Sequence, residues 1–131
     1  MTVETTRKVI MKYFDTGHTD LSIMADDVVF TLMATGDEHK TPAGVQGMLQ
    51  YLYDVAFDAT TETTNLVIAD NQAVWEGYFI GKHVGEFNGI PATGKDVRVP
   101  ICVSYDIEND QIKRARIYFE LPVMLQQLGI Q

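Results

Sequence analysis

The chain has 131 residues, 46% hydrophobic and 21% charged, with 18 acidic against 10 basic side chains for a formal charge of −8. A chain of this length buries roughly two-thirds of the surface that its unfolded form exposes, so a single domain over residues 1–131 with an ordinary packed core is expected. The carboxylate excess repels phosphate backbones and anionic lipid, which argues against nucleic-acid and membrane partners and leaves a neutral or weakly polar small molecule as the easier partner.

Cys102 is the single cysteine, so no intrachain disulfide marks an oxidising compartment and a cytoplasmic location is the default. The N-terminus reaches charge at Glu4 without a signal-peptide core, and no stretch approaches the ~18 apolar residues of a membrane span.

The first half of the chain is helical in period. Val3, Arg7, Ile10, Tyr13 and Phe14 fall on one stripe of a first helix, which should stop near Thr16 and Gly17. A short helical turn around Leu21 to Met24 precedes a strand at Val28 to Met33, rich in β-branched and aromatic side chains. Thr41 and Pro42 offer an N-cap and a first-turn proline to a second helix, where Val45, Met48, Leu49, Leu52, Val55 and Ala56 recur at helical spacing.

From residue 62 the period changes to two. Thr63 to Ala69 reads as a strand, Asp70 and Asn71 as a turn, and Gln72 to Phe87 as a long strand. A glycine-proline loop over Asn88 to Gly94 leads to a strand at Asp96 to Ile107, and a turn at Glu108 to Asp110 leads to another at Ile112 to Phe119. Leu121 to Gly129 is a short helix with an early proline and a closing glycine. The class is α+β, with helices stacked on one curved, antiparallel sheet.

Under strand alternation Trp75, Gly77, Phe79, Gly81, His83 and Gly85 share one face. Glycine inside a strand marks a bend or a close approach of something to the backbone. Three on one face suit a strongly curved sheet whose concave side is either a pocket lined by Trp75, Phe79 and His83 or a core filled from neighbouring elements.

Gly89 to Lys95 has the spacing of a phosphate-binding loop, but Asp96 stands where a hydroxyl is needed and a strand pattern follows where a helix should begin. His18 and His39 lie in polar loop contexts, and His83 and Glu86 point to opposite faces of a strand, so no metal-ligand pair emerges. Glu120 ends the last strand immediately before the final helix. A carboxylate facing an apolar cavity becomes a usable acid/base, because desolvation disfavours its anion, whereas a helix N-terminus favours the anion. A solvated strand end and a cavity acid both remain open readings of Glu120.

The string Gly81-Lys82-His83-Val84-Gly85-Glu86-Phe87-Asn88-Gly89-Ile90-Pro91-Ala92-Thr93-Gly94-Lys95, with Tyr118-Phe119-Glu120 and Leu125-Gln126-Gln127-Leu128-Gly129, resembles the SnoaL-like polyketide cyclase or ester cyclase family. The resemblance covers the C-terminal half by motif and the N-terminal helices by pattern. It implies the NTF2-like cone, with N-terminal helices over the concave face of a curved sheet, an internal pocket, and homodimers formed through the sheet. It implies acid/base chemistry without a cofactor or metal on a small hydrophobic molecule, such as an intramolecular aldol cyclisation or a related isomerase or lyase reaction. Glu120 maps onto the family's acid/base and His83 onto its motif histidine, with Trp75, Phe79 and Tyr118 gripping a flat substrate.

The family usually carries aspartate where this chain has Glu120, and one extra methylene displaces the carboxyl by about the ~1 Å that can cost ~100-fold in rate. The same fold also serves other small substrates and non-catalytic ligand-binding or dimerisation modules, so the reaction is not fixed by the motif.

Overall fold

The computed structural model describes residues 2–16 and 20–130. The expected helix stop at Gly17 and the loop placement of His18 lie outside the described residues.

Helix α1 (Val3–Asp15) opens with a reciprocal cap in which Thr2 accepts from the Thr5 N–H and Thr5 accepts from the Thr2 N–H. It buries Ile10 and Tyr13 from the expected stripe together with Thr6 and Val9, which the stripe did not include, while Val3 and Arg7 stay exposed. A 3₁₀ turn at Leu21–Ile23 leads into β1 (Met24–Leu32), which begins four residues earlier than the sequence pattern indicates. A strand that the sequence does not announce, β2 (Asp37–Lys40), pairs with β1. Its four polar residues carry no apolar alternation to read.

Helix α2 (Thr41–Gln50) has Lys40 at its cap without a side-chain bond, and the capping bond comes instead from Thr41, whose Oγ1 accepts the Gly44 N–H at 3.2 Å. The helix continues as a π-helical turn over Tyr51–Ala56, a form that concentrates near functional sites. Then come β3 (Phe57–Ala69), β4 (Gln72–His83), β5 (Asp96–Glu108), β6 (Gln111–Phe119) and α3 (Leu121–Gln127).

The six strands form one sheet in the order β2-β1-β6-β5-β4-β3. All neighbours are antiparallel except β1 and β6, which run parallel. Register breaks at Met24/Val29, Thr63/Asn65 and Asp106/Ile107 add local twist, and the sheet is curved and unclosed. Asn71, Asn109 and Asp110 take positive φ in the two tight turns, as short polar side chains allow.

The glycine ladder has a specific cause. A Cβ on Gly77 would lie 2.1 Å from the Glu62 carbonyl oxygen and 2.7 Å from the Trp75 ring, and one on Gly81 would lie 2.6 Å from the Ala59 Cβ. Both glycines therefore admit the close approach of β3, which pairs beside β4 with a register shift at Thr63/Asn65. Gly85 lies beyond the strand: β4 ends at His83 rather than Phe87, because the Val84 and Gly85 N–H groups turn to the Ala56 carbonyl at 3.0 Å each. The hydrophobic interior has two parts. One lies between α1, α2 and the middle of the sheet; the other surrounds Phe57, Phe79, Phe87, Val99, Met124 and Leu128.

Candidate functional site

On β5 the odd-numbered residues from Val97 to Ile107 face inward, and on β4 Trp75 and Phe79 do so. Where α1 and α2 cross this concave face they leave a cavity of about 600 Å³. Its walls are mainly apolar and aromatic, including Phe14, Phe30, Trp75, Phe79 and Phe119. Such a space suits a fused-ring or similarly sized organic molecule.

The polar groups in this cavity are few and specific. Tyr13 from α1 and Tyr105 from β5 bring their rings to 5.7 Å, edge to face, and their hydroxyls hydrogen-bond to each other. Burial pushes the Tyr13 hydroxyl well above the usual tyrosine range, and the neighbouring Tyr105 and Tyr53 push the same way. Burial raises Tyr105 likewise, and Tyr53 is pushed up to about 12. All three hydroxyls are therefore protonated at neutral pH and available as neutral hydrogen-bonding groups. The two hydroxyls share one hydrogen bond, which uses one of their two protons and leaves the other for a ligand in the cavity.

Trp75 Nε1 donates to Thr63 Oγ1 at 2.7 Å, which fixes the indole against the cavity wall. At the rim, Gln46, Gln50 and Asp54 follow one another at four-residue spacing from α2 into the π-helical turn. Asp54 is the one carboxylate among the described residues lining this cavity.

The sequence-predicted residues divide. Trp75 and Phe79 line the cavity. His83 is fully buried but outside the lining: its ring stacks on Phe57 at 5.0 Å, and its Nδ1 accepts the Thr93 N–H at 3.2 Å. Tyr118 pairs in register with Cys102 on the convex face and is 47% exposed. Glu120 is exposed and lines neither this cavity nor a second one of about 350 Å³ near α3. Asp54 is exposed as well, so burial does not separate the two carboxylates, but only Asp54 is among the residues that line the main cavity. The parity of Glu120 with Tyr118 and Arg116 continues the convex face of β6.

Tyr13, Tyr53, Tyr105 and Asp54 escaped the sequence reading. Tyr105 carried a signal, a phenol on the apolar side of the alternation Val99, Ile101, Val103, Tyr105, Ile107. Asp54 carried none: it is an exposed residue of the π-helical turn that borders the cavity at its rim.

A curved open sheet with helices laid across its concave face around an apolar cavity is the architecture of the NTF2-like cone, of the α+β class. The chain belongs to the SnoaL-like polyketide cyclase family, whose model matches residues 7–128. It is similar in fold to a candidate SnoaL-like polyketide cyclase from Jannaschia sp. CCS1, with a TM-score of 0.82, 16% identity, and coverage of 98% of this chain and 94% of that one. IdmH, a candidate polyketide cyclase from Streptomyces antibioticus, superposes with a TM-score of 0.73 at 23% identity over 98% and 99% of the two chains. A protein of ketosteroid isomerase-like fold from Catenulispora acidiphila, in complex with trimethylamine, gives 0.77 at 14% identity over 96% and 95%. No curated protein matches the sequence significantly. No helix is long and apolar enough to cross a membrane among the described residues.

Proposed function

We propose that the protein binds a small, largely apolar carbonyl compound in the 600 Å³ cavity and catalyses cofactor-independent proton transfer on it, in an intramolecular aldol cyclisation or a related isomerisation. The observation that carries this reading is the pairing of buried neutral tyrosine donors inside the cavity with a single carboxylate at its rim. Asp54 takes a proton from carbon next to the carbonyl; the C–H electron pair moves into the enolate, whose negative oxygen accepts a hydrogen bond from Tyr105. The enolate carbon then bonds to a second carbonyl carbon of the same molecule, and the resulting alkoxide takes the proton back from Asp54. Atoms and charge balance without an electron carrier. Trp75 and Phe79 supply flat walls for the rings. In this reading Asp54 takes the role that the resemblance implies for Glu120.

The test uses 2-tetralone, a planar enolisable ketone, in D₂O. Deuterium uptake beside the carbonyl, followed by NMR, should exceed the buffer rate; it should return to that rate in Asp54→Asn and fall about 100-fold in Tyr105→Phe. Quenching of Trp75, the single tryptophan, reports cavity occupancy independently. Binding with no excess exchange would overturn catalysis and leave the non-catalytic ligand-binding module as the reading.

A further inference from the structure

A second cavity of about 350 Å³ adjoins the first, sharing Leu32, Leu52 and Phe119 with it. Its far wall is unlike that of the main cavity. Register places Asp37 opposite Leu32 and His39 opposite Phe30 across the β1/β2 pair. Facing residues on antiparallel neighbours share a side of the sheet, and Phe30 and Leu32 both line the main cavity, so Asp37 and His39 look inward on the concave side. Thr35, Asn88 and Tyr51 also line this space, the Tyr51 hydroxyl being engaged with the Glu86 carbonyl at 2.6 Å.

The space is kept open by the chain itself. Gly47 sits within α2 on the wall of this chamber, and a Cβ built there would meet nothing within 4 Å. Glycine inside a helix costs about 0.5–1 kcal/mol relative to alanine, so room here is maintained against local preference.

We infer that the second chamber receives a polar arm of the substrate ending in a hydrogen-bond donor, an amine or a hydroxyl, with Asp37 as acceptor and His39 beside it as a second polar contact. The inference rests on the main cavity holding the carbonyl-bearing ring system. Leu32, Leu52 and Phe119 would then form the apolar neck between ring and arm. An ionised Asp37 repels a carboxylate or phosphate terminus and attracts a donor, which makes the chamber selective by charge as well as by size. The substrate class so defined is an aryl or polycyclic ketone with one short, donor-tipped side arm.

The experiment compares 2-tetralone with three derivatives that carry a three-carbon arm on the aromatic ring, ending in an amine, a hydroxyl or a carboxylate, with Trp75 fluorescence as the readout of binding. The wild-type protein should bind the amine-armed ketone at least about tenfold more tightly than the carboxylate-armed one, with the hydroxyl between them. Asp37→Asn, at an exposed position, should shrink that preference to within about twofold while leaving the parent ketone unchanged. Gly47→Leu, which fills the chamber from a position with free space, should weaken all three armed ketones and spare the parent. Equal binding of the three arms alongside normal binding of the parent overturns this inference alone, as does a preference that survives Asp37→Asn. Failure of every tetralone, armed or not, to perturb Trp75 overturns the ketone-site reading and this inference with it.

Discussion

The Thr93 backbone N–H donates to Nδ1 of His83 at 3.2 Å, and the Thr93 hydroxyl lies 3.0 Å from the same nitrogen. Because Nδ1 accepts the backbone bond, the ring proton of the neutral imidazole belongs on Nε2. Nε2 is buried with no hydrogen-bond partner among the described residues. The most conspicuous histidine of the sequence is thus a clamp on the glycine-proline loop, further held by the Gly94 N–H on the His83 carbonyl.

Replacing His83 with Leu removes the loop's acceptor together with the orphaned N–H. Burying an unsatisfied donor costs about 1–3 kcal/mol, comparable to the lost bond, so global stability should change by no more than about 1 kcal/mol. Hydrogen exchange at the Thr93 amide should accelerate markedly, as read by NMR. Tetralone exchange measured on the same variant separates the roles: retained activity makes His83 a clamp, and lost activity with stability intact restores the catalytic role that the resemblance implies.

Two glycines should respond in opposite ways to the same substitution. Gly77→Ala drives a methyl group into the Glu62 carbonyl at 2.1 Å, backbone that cannot swing aside, and should destabilise by about 3 kcal/mol or more with a shift in Trp75 emission. Gly47→Ala meets open space in a helix and should stabilise by about 0.5–1 kcal/mol. Urea denaturation of both variants checks the pair.

Within the tyrosine pair, loss of Tyr105 should matter more than loss of Tyr13. Tyr105 makes the proposed contact with the substrate oxygen, whereas Tyr13 acts by holding the Tyr105 hydroxyl through their shared hydrogen bond. Rates of 2-tetralone exchange should fall about 100-fold in Tyr105→Phe and about tenfold in Tyr13→Phe. Equal effects would show that the two hydroxyls contact the substrate alike.

On the convex face Arg116 grips Asp106 with two bonds of 3.0 Å and reaches Ser104 Oγ at 3.1 Å. The hydrogen bonds from Arg116 hold the Asp106 carboxyl below the usual range, with a smaller contribution from Gln72. A lowered folded-state pKa gives stability that is fully present above the unfolded value of about 3.9 and is lost as pH falls through the folded value. With both side chains about a third exposed, solvent screening limits the pair to roughly 1 kcal/mol. Asp106→Asn should therefore be less stable than the wild type at pH 7, and the difference should close below about pH 4 in thermal melts.

Much of the scaffold was legible because it follows from local pattern. The stripe Ile10 and Tyr13 gave α1, Val45, Met48 and Leu49 gave α2, and alternation gave β4, β5 and β6 nearly to their ends. The edge strands were harder. β3 begins at Phe57 rather than Thr63, because its first half pairs on one side only and carries Asp, Thr and Glu in solvent. The parallel pairing of β1 with β6 joins segments some 85 residues apart and leaves no mark on either.

The site was less legible than the fold. Trp75 and Phe79 could be placed on a common concave face, and there they line the cavity. Glu120 stood out by motif and position, yet one residue past the end of β6 its direction depends on how α3 is joined, and it faces solvent.

By itself, then, the sequence determined the family, the α+β class and which strand faces turn inward, since periodicity is a property of neighbouring residues. Only the tertiary structure decided what the cavity contains. Tyr13 and Tyr105 are 92 positions apart, and Asp54 reaches the cavity rim from a π-helical turn. Their convergence is set by the curvature of a sheet whose glycines let β3 approach β4 closely, a three-dimensional outcome that no local pattern encodes.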